Sequence, residues 1–159
     1  MRRIQRDVSQ EDFIKSLVSG DNAIFKDIWR VLLFAAAYGV KHGQRKPLAK
    51  VESNKAMPES YFSTPGWRGF LYLLGFAETE SSDHLKNDEE QQNELISTFE
   101  EYANYGLDKL SEQITSSQDP LGDVIQVILK EIKQPVEPPI VDDLIWNEDD
   151  PKGVSSQDS

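Results

Sequence analysis

The chain contains no cysteine and only two histidines, His42 and His84. Without thiols there are no disulfides, no thiolate nucleophile and no cysteine-based zinc site, a composition that fits a reducing compartment. Neither histidine stands at ligand spacing from the other or from an acid on its own helical face, so no metal site is expected. Nucleotide-binding and hydrolase fingerprints are missing as well. GVKHGQRKP sets two glycines among cations, but it lacks the preceding strand and the Gly-Lys-Ser/Thr ending that a phosphate cradle needs. No run approaches the roughly 20 apolar residues that span a bilayer. The opening MRRIQRDVSQED turns acidic where a secretory signal needs an apolar stretch. These absences predict a soluble, cytoplasmic protein that is not an enzyme. No catalytic residue, cofactor-binding residue or metal ligand is nominated, no cofactor is expected, and no membrane is a partner.

Negative charge is what the chain has in excess. Its 28 acidic and 17 basic residues give a net charge of −11, which at long range repels nucleic acid and anionic membranes. The distribution is uneven. From Lys41 to Lys55 five cations, Lys41, Arg45, Lys46, Lys50 and Lys55, face Glu52 alone, a local +4. From Glu78 to Glu101 the acids outweigh Lys86 to give −8, and residues 134–159 outweigh Lys152 to give −6. The sequence thus has a basic pole, an acidic pole and an acidic tail.

The remaining pattern is helical. In FKDIWRVLLFAAAYGVKHGQRKPL, from Phe25 to Leu48, the residues Phe25, Ile28, Trp29, Leu32, Ala35, Ala36 and Gly39 recur at three-and-four spacing. Leu33, Phe34 and Ala37 widen that arc, which predicts a central helix packed on two sides. Its small residues admit a close neighbour, and Gly43 is a left-handed stop. Ahead of it, Ser9 caps a first helix with Phe13, Ile14, Leu17 and Val18 inward and Gly20 at its end, and Asp21 or Asn22 is expected to cap the central helix.

After it, residues 43–60 read as a loop with an extended piece near Leu48 to Val51. Ser63-Thr64-Pro65-Gly66 is turn chemistry, and WRGFLYLLGFA, from Trp67 to Ala77, reads as a buried helix. A polar linker from Thr79 to Asp88 precedes the longest helix, where Leu95, Phe99, Tyr102, Ala103, Gly106, Leu107, Leu110 and Ile114 repeat for about six turns. Asp119-Pro120 then caps a last helix, expected to turn Leu121, Val124, Ile125, Ile128, Leu129 and Ile132 inward. Paired acids such as Glu100 and Glu101, or Asp88 to Glu90, are expected to form a solvated helix face.

From Pro135 onward the chain holds four prolines, many acids and an isolated apolar cluster, Ile140, Val141, Leu144, Ile145 and Trp146. Such a composition cannot bury enough surface to order itself. Trp146 has two open destinations, docking back on the domain or anchoring a partner, and Leu144, Ile145 and Trp146 are the candidate partner-binding residues. Lys41, His42, Arg45 and Lys46 are the candidate nucleic-acid contacts, since mobile cations neutralise phosphates without reading sequence. Cations at a helix end also serve simply to meet its last carbonyls and to keep a loop soluble.

The stretch VLLFAAAYGVKHGQRKPL, from Val31 to Leu48, resembles the signature of the dnd system-associated accessory proteins, a small family found with bacterial DNA phosphorothioation systems. The similarity extends more weakly from the Arg-rich start to about Leu110, with no contribution from the acidic tail. The resemblance implies an accessory component of a sulfur-modification and restriction defence locus, and transfers no active-site residues. The resulting expectation is an all-α protein: a single small bundle of about five helices over residues 8–133, with a flexible acidic tail over 134–159. Its expected role is a non-catalytic adaptor that binds protein components of a DNA modification or restriction complex. One alternative is a direct nucleic-acid-binding regulator that joins the basic loop 41–55 to Arg2, Arg3 and Arg6 as one patch. Another is an acidic decoy of DNA.

Overall fold

Small residues decide where the two principal helices cross. In the computed structural model, which describes residues 2–62, 65–85, 88–114 and 118–134, α2 (Ile28–Lys41) packs along α4 (Glu89–Ile114) in the most extensive helix-helix contact of the fold. Ala35, Ala36 and Gly39 of α2 are buried against Ala103 and Gly106 of α4. Gly39 lies directly on the carbonyl of Tyr102, where a Cβ has no room. Around this seam α1 (Glu11–Val18) buries Phe13, Ile14 and Leu17 against α2, and α3 (Trp67–Thr79) buries Trp67, Leu71 and Leu74 against α4. The last helix, α5 (Pro120–Lys133), begins at Asp119, whose carboxylate accepts from the Gly122 amide at 3.0 Å. The fold is all-α, a bundle of five helices, with four short 3-10 turns among the described residues.

An aromatic cluster joins α3 to α4. Phe62 stacks on Trp67 with ring centroids 4.3 Å apart, and both meet the fully buried Phe99 edge-on, at 5.7 and 4.9 Å. Edge-on and offset geometries are the ones aromatic quadrupoles favour.

The N-terminal segment is part of the body. Ile4 is fully buried and pairs with Met57 in a two-way backbone bridge of 2.9 and 2.8 Å. Asp7 takes the Ser9 amide at 2.9 Å, capping the 3-10 turn Val8–Gln10 that leads into α1. It also takes the Ala49 and Lys50 amides at 2.5 and 3.2 Å, and Val8 donates to the Lys50 carbonyl at 2.9 Å. The extended piece expected near Leu48 to Val51 is therefore the partner of the N-terminus.

Four expectations need correction. The cap of α2 is Asp27, not Asp21 or Asn22, because Phe25 and Lys26 stay outside the helix and the Ile24 and Phe25 amides bond to the Leu17 carbonyl. The N-cap of α1 is Gln10 rather than Ser9, and Asp7 caps the 3-10 turn ahead of it with Ser9 as its donor. The third helix is a helix but not a buried one, since Leu73 and Phe76 are 70% and 56% exposed. On α5 only Val124 of the six expected residues is buried, with Val127 beside it, while the rest face outward. Its apolar arc is wider than its single main neighbour, α4, can cover. Residues 135–159, with the expected flexible tail and Leu144, Ile145 and Trp146, lie outside the described residues.

Candidate functional site

The basic stretch starts where α2 stops. Gly43 takes a left-handed φ of 58°, as expected, and turns the chain onto α4. There the Lys46 amide donates to the Glu101 carbonyl at 3.1 Å, and the Asn104 side chain donates to the carbonyls of Lys46 and Pro47, each at 3.1 Å. The loop is strapped to the long helix through its backbone, and its cations follow.

Arg45 carries the strap's chemistry. Its guanidinium reaches Glu78 of α3 at 2.6 Å and Glu101 of α4 at 2.7 and 2.9 Å, so one cation ties two helices to the loop. Tyr102 completes the group, its hydroxyl hydrogen-bonded to Glu78 and its ring under the Arg45 guanidinium at 5.9 Å. Partial burial would loosen the guanidinium's proton, but Glu101 and Glu78 outweigh it and push the Arg45 pKa up. Burial alone would also raise Glu78, yet the Tyr102 hydroxyl and Arg45 hold it below the usual glutamate value. Burial, then the neighbouring Glu78 carboxylate, pushes the Tyr102 hydroxyl up to about 12.

The other nominated cations are also engaged. Lys46 reaches Asp108 at 3.0 Å, while Lys41 and His42 converge on Glu131 of α5 at 3.3 and 3.2 Å. The structure thus brings Lys41 and His42 together at one carboxylate and sets Arg45 and Lys46 on α4. Arg45 is where the basic stretch meets the acidic pole, through Glu78 and Glu101, whereas Lys46 and Lys41 take carboxylates outside that pole. Individually such half-exposed pairs contribute little, and a shared network with an Arg fork contributes more.

Glu100 and Glu101 are not a solvated face. Glu100 is 5% exposed and holds the N-terminus, taking both arms of Arg2 at 2.7 Å and the Gln5 amide at 2.6 Å. Burial raises its carboxyl above the usual value despite Arg2. Asp88, Glu89 and Glu90 do face solvent. Sequence reasoning missed Glu131, Glu78 and Asp108 as partners of the basic loop. An acid at the inward position four residues after Val127 was the one available signal.

Two apolar surfaces adjoin at α5. The outer face of α5 exposes Leu121, Ile125, Ile128, Leu129 and Ile132 at 39–72%. Beside it a groove of about 220 Å³ runs between α2 and α5, lined by Phe34, Tyr38, Val127, Ile128 and Ile132, with Lys41 and Glu131 at its rim. No cluster of three or more His, Asp or Glu stands in metal-holding geometry among the described residues, and no described helix is long and apolar enough to cross a membrane.

No curated protein matches this chain, and no solved structure does. A family model described as DNA sulphur modification system-associated protein 4 matches residues 3–142. The match runs past Leu110 through α5 and into the first residues of the acidic block, further than the local resemblance implied. The chain therefore belongs to the family of DNA sulphur modification system-associated protein 4.

Proposed function

We propose that this protein is a non-catalytic accessory or adaptor of a DNA sulphur modification system, docking a protein component of the modification or restriction machinery through the outer face of α5. The observation that carries the reading is the row Leu121, Ile125, Leu129 and Ile132, left uncovered on a helix that contributes little to the core. Contiguous exposed apolar surface on a polar chain marks an interaction site. Leu144, Ile145 and Trp146, farther along the sequence, are the second candidate anchor in this reading. The protein works in the cytoplasm in this reading, carries no cofactor, and serves defence against foreign DNA through its partners.

The test is co-elution of the full chain with each protein component of its own modification and restriction locus on size-exclusion chromatography. Leu129→Asp with Ile132→Asp should abolish co-elution while leaving the helical circular dichroism unchanged. A chain ending at Gln134 that still co-elutes assigns the contact to α5, and loss on that truncation assigns it to the tail. Failure of every component to co-elute with the intact chain overturns the reading.

A further inference from the structure

The cations that the helix-loop network does not consume gather elsewhere. A cleft of about 840 Å³ opens between the N-terminal segment, the start of α2 and the 53–61 loop. Arg3, Arg6, Lys26 and Lys55 line it, together with the rings of Trp29 and Tyr61. Asp27 is its one acidic lining residue, and Arg30 holds that carboxylate at 3.2 Å.

The state of each cation matters. The Arg3 guanidinium reaches only the Ala56 carbonyl at 3.3 Å, and neither Arg3 nor Lys26 makes an ion pair among the described residues. Arg6 and Lys55 share Glu11, at 2.6 and 3.9 Å, and Lys55 also meets Glu52 at 3.0 Å. Arg6 further donates to the Lys55 carbonyl at 2.6 Å, which fixes the cleft wall to the N-terminal segment. Two cations without an ion pair among the described residues thus stand at the cleft. Tyr61 is 59% exposed and offers a flat face beside positive charge, while Trp29 is part-buried with Arg30 over its ring at 4.6 Å.

We propose that this cleft binds single-stranded nucleic acid, with Arg3 and Lys26 on phosphates and a base stacked on Tyr61. Cations beside an accessible aromatic ring are what a strand of phosphates and bases requires, and an acidic peptide would leave the ring unused. The net charge of −11 does not prevent this. Charges farther off than about 8 Å are screened at physiological ionic strength, and the local charge decides. The patch once expected to join loop 41–55 to Arg2, Arg3 and Arg6 is divided by the fold. Arg2, Arg45 and Lys46 are spent on carboxylates away from the cleft, whereas Arg3 converges there with Lys26, which the sequence pattern did not single out, beside Arg6 and Lys55 on their own carboxylates. The cleft lies at the opposite end of α2 from the α5 groove, so the inference stands apart from the docking role proposed above.

The experiment is fluorescence anisotropy of a labelled oligothymidylate with the full chain at two salt concentrations. Binding should weaken with salt, and Arg3→Ala with Lys26→Ala should weaken it about tenfold and lower the salt slope by about 1 for each cation removed. Tyr61→Ala should weaken it about tenfold at unchanged slope, with Tyr61→Trp restoring it. Lys46→Ala should leave affinity unchanged. No binding at low salt overturns the inference, as does equal loss from Lys46→Ala, tighter binding of duplex than of single strand, or equal competition by inorganic polyphosphate of the same charge.

Discussion

Gly106 rests on the carbonyl of Ala35: a Cβ built on the glycine would overlap that oxygen and crowd the carbonyl carbon behind it. The reciprocal contact places Gly39 on Tyr102. Two helices that meet backbone to backbone hold their register through absent side chains, and that register sets where the Arg45 strap lands.

The seam predicts opposite signs for two chemically identical substitutions. Gly106→Ala gains helix propensity but forces the backbones apart, and should destabilise by about 2 kcal/mol. Gly69→Ala, on α3 with nothing within 4 Å of a new Cβ, should stabilise by about 0.5–1 kcal/mol. Urea unfolding followed by circular dichroism measures both. A shift of the same sign in the two variants would refute the packing argument.

The second prediction concerns acid. Burial would raise the Asp7 carboxyl, but the hydrogen bonds from Ser9, Ala49 and Lys50 outweigh it and hold its pKa below 3.8. A lowered folded pKa means that its contribution is complete above the ordinary carboxylate range and disappears as pH falls through the folded value. Asp7→Asn should therefore cost about 2 kcal/mol near neutrality, and the gap to wild type should close in strong acid. Glu100 has the reverse sign, since burial raises it above 4.5. Its favourable share is present below 4.5 and is lost as pH rises through the folded value, so Glu100→Gln should gain on wild type with rising pH. Unfolding midpoints across a pH series decide both.

The parts legible in the sequence were those with a period. The α4 repeat and the Ala-Ala-Ala-Tyr-Gly run of α2 announced both helices and a close neighbour for α2, because 3.6-residue spacing is local information. What the sequence did not disclose was pairing between distant segments. Glu100 looked like a solvated acid because nothing local marks it as the anchor of Arg2, 98 positions away. Arg45 looked like a free cation for the same reason, its carboxylates lying on α3 and α4. On α5 the period was right and the depth was wrong, since periodicity reports which face is apolar and not how much of it a neighbour covers.

Tyr102 supplies a spectroscopic check on the strap. Its hydroxyl should ionise near pH 12. Because the folded value is raised, the stabilising share is complete below the ordinary value of 10.0 and is lost as pH climbs toward 12. Replacing Glu78 with glutamine removes the neighbouring carboxylate and should bring the late tyrosinate absorbance to lower pH. A tyrosinate step near pH 12 that stays in place in Glu78→Gln would break the link between Tyr102 and Glu78.

The two sides of α5 should respond unequally. Val124 and Val127 are each 5% exposed, so truncating either to Ala should cost about 2 kcal/mol in lost burial and residual cavity. Leu129 and Ile132 are 42% and 72% exposed, so lysine at either position should stay within about 0.5 kcal/mol. A dye that fluoresces on apolar surface separates two states of that outer face. If residues 135–159 leave it open, the intact chain binds dye and Ile125→Lys with Ile132→Lys lowers the signal. If they cover it, the intact chain stays dark and a chain ending at Gln134 becomes bright. Equal destabilisation by the inner and outer substitutions would mean that the outer row is core, and the docking role assigned to it would fall.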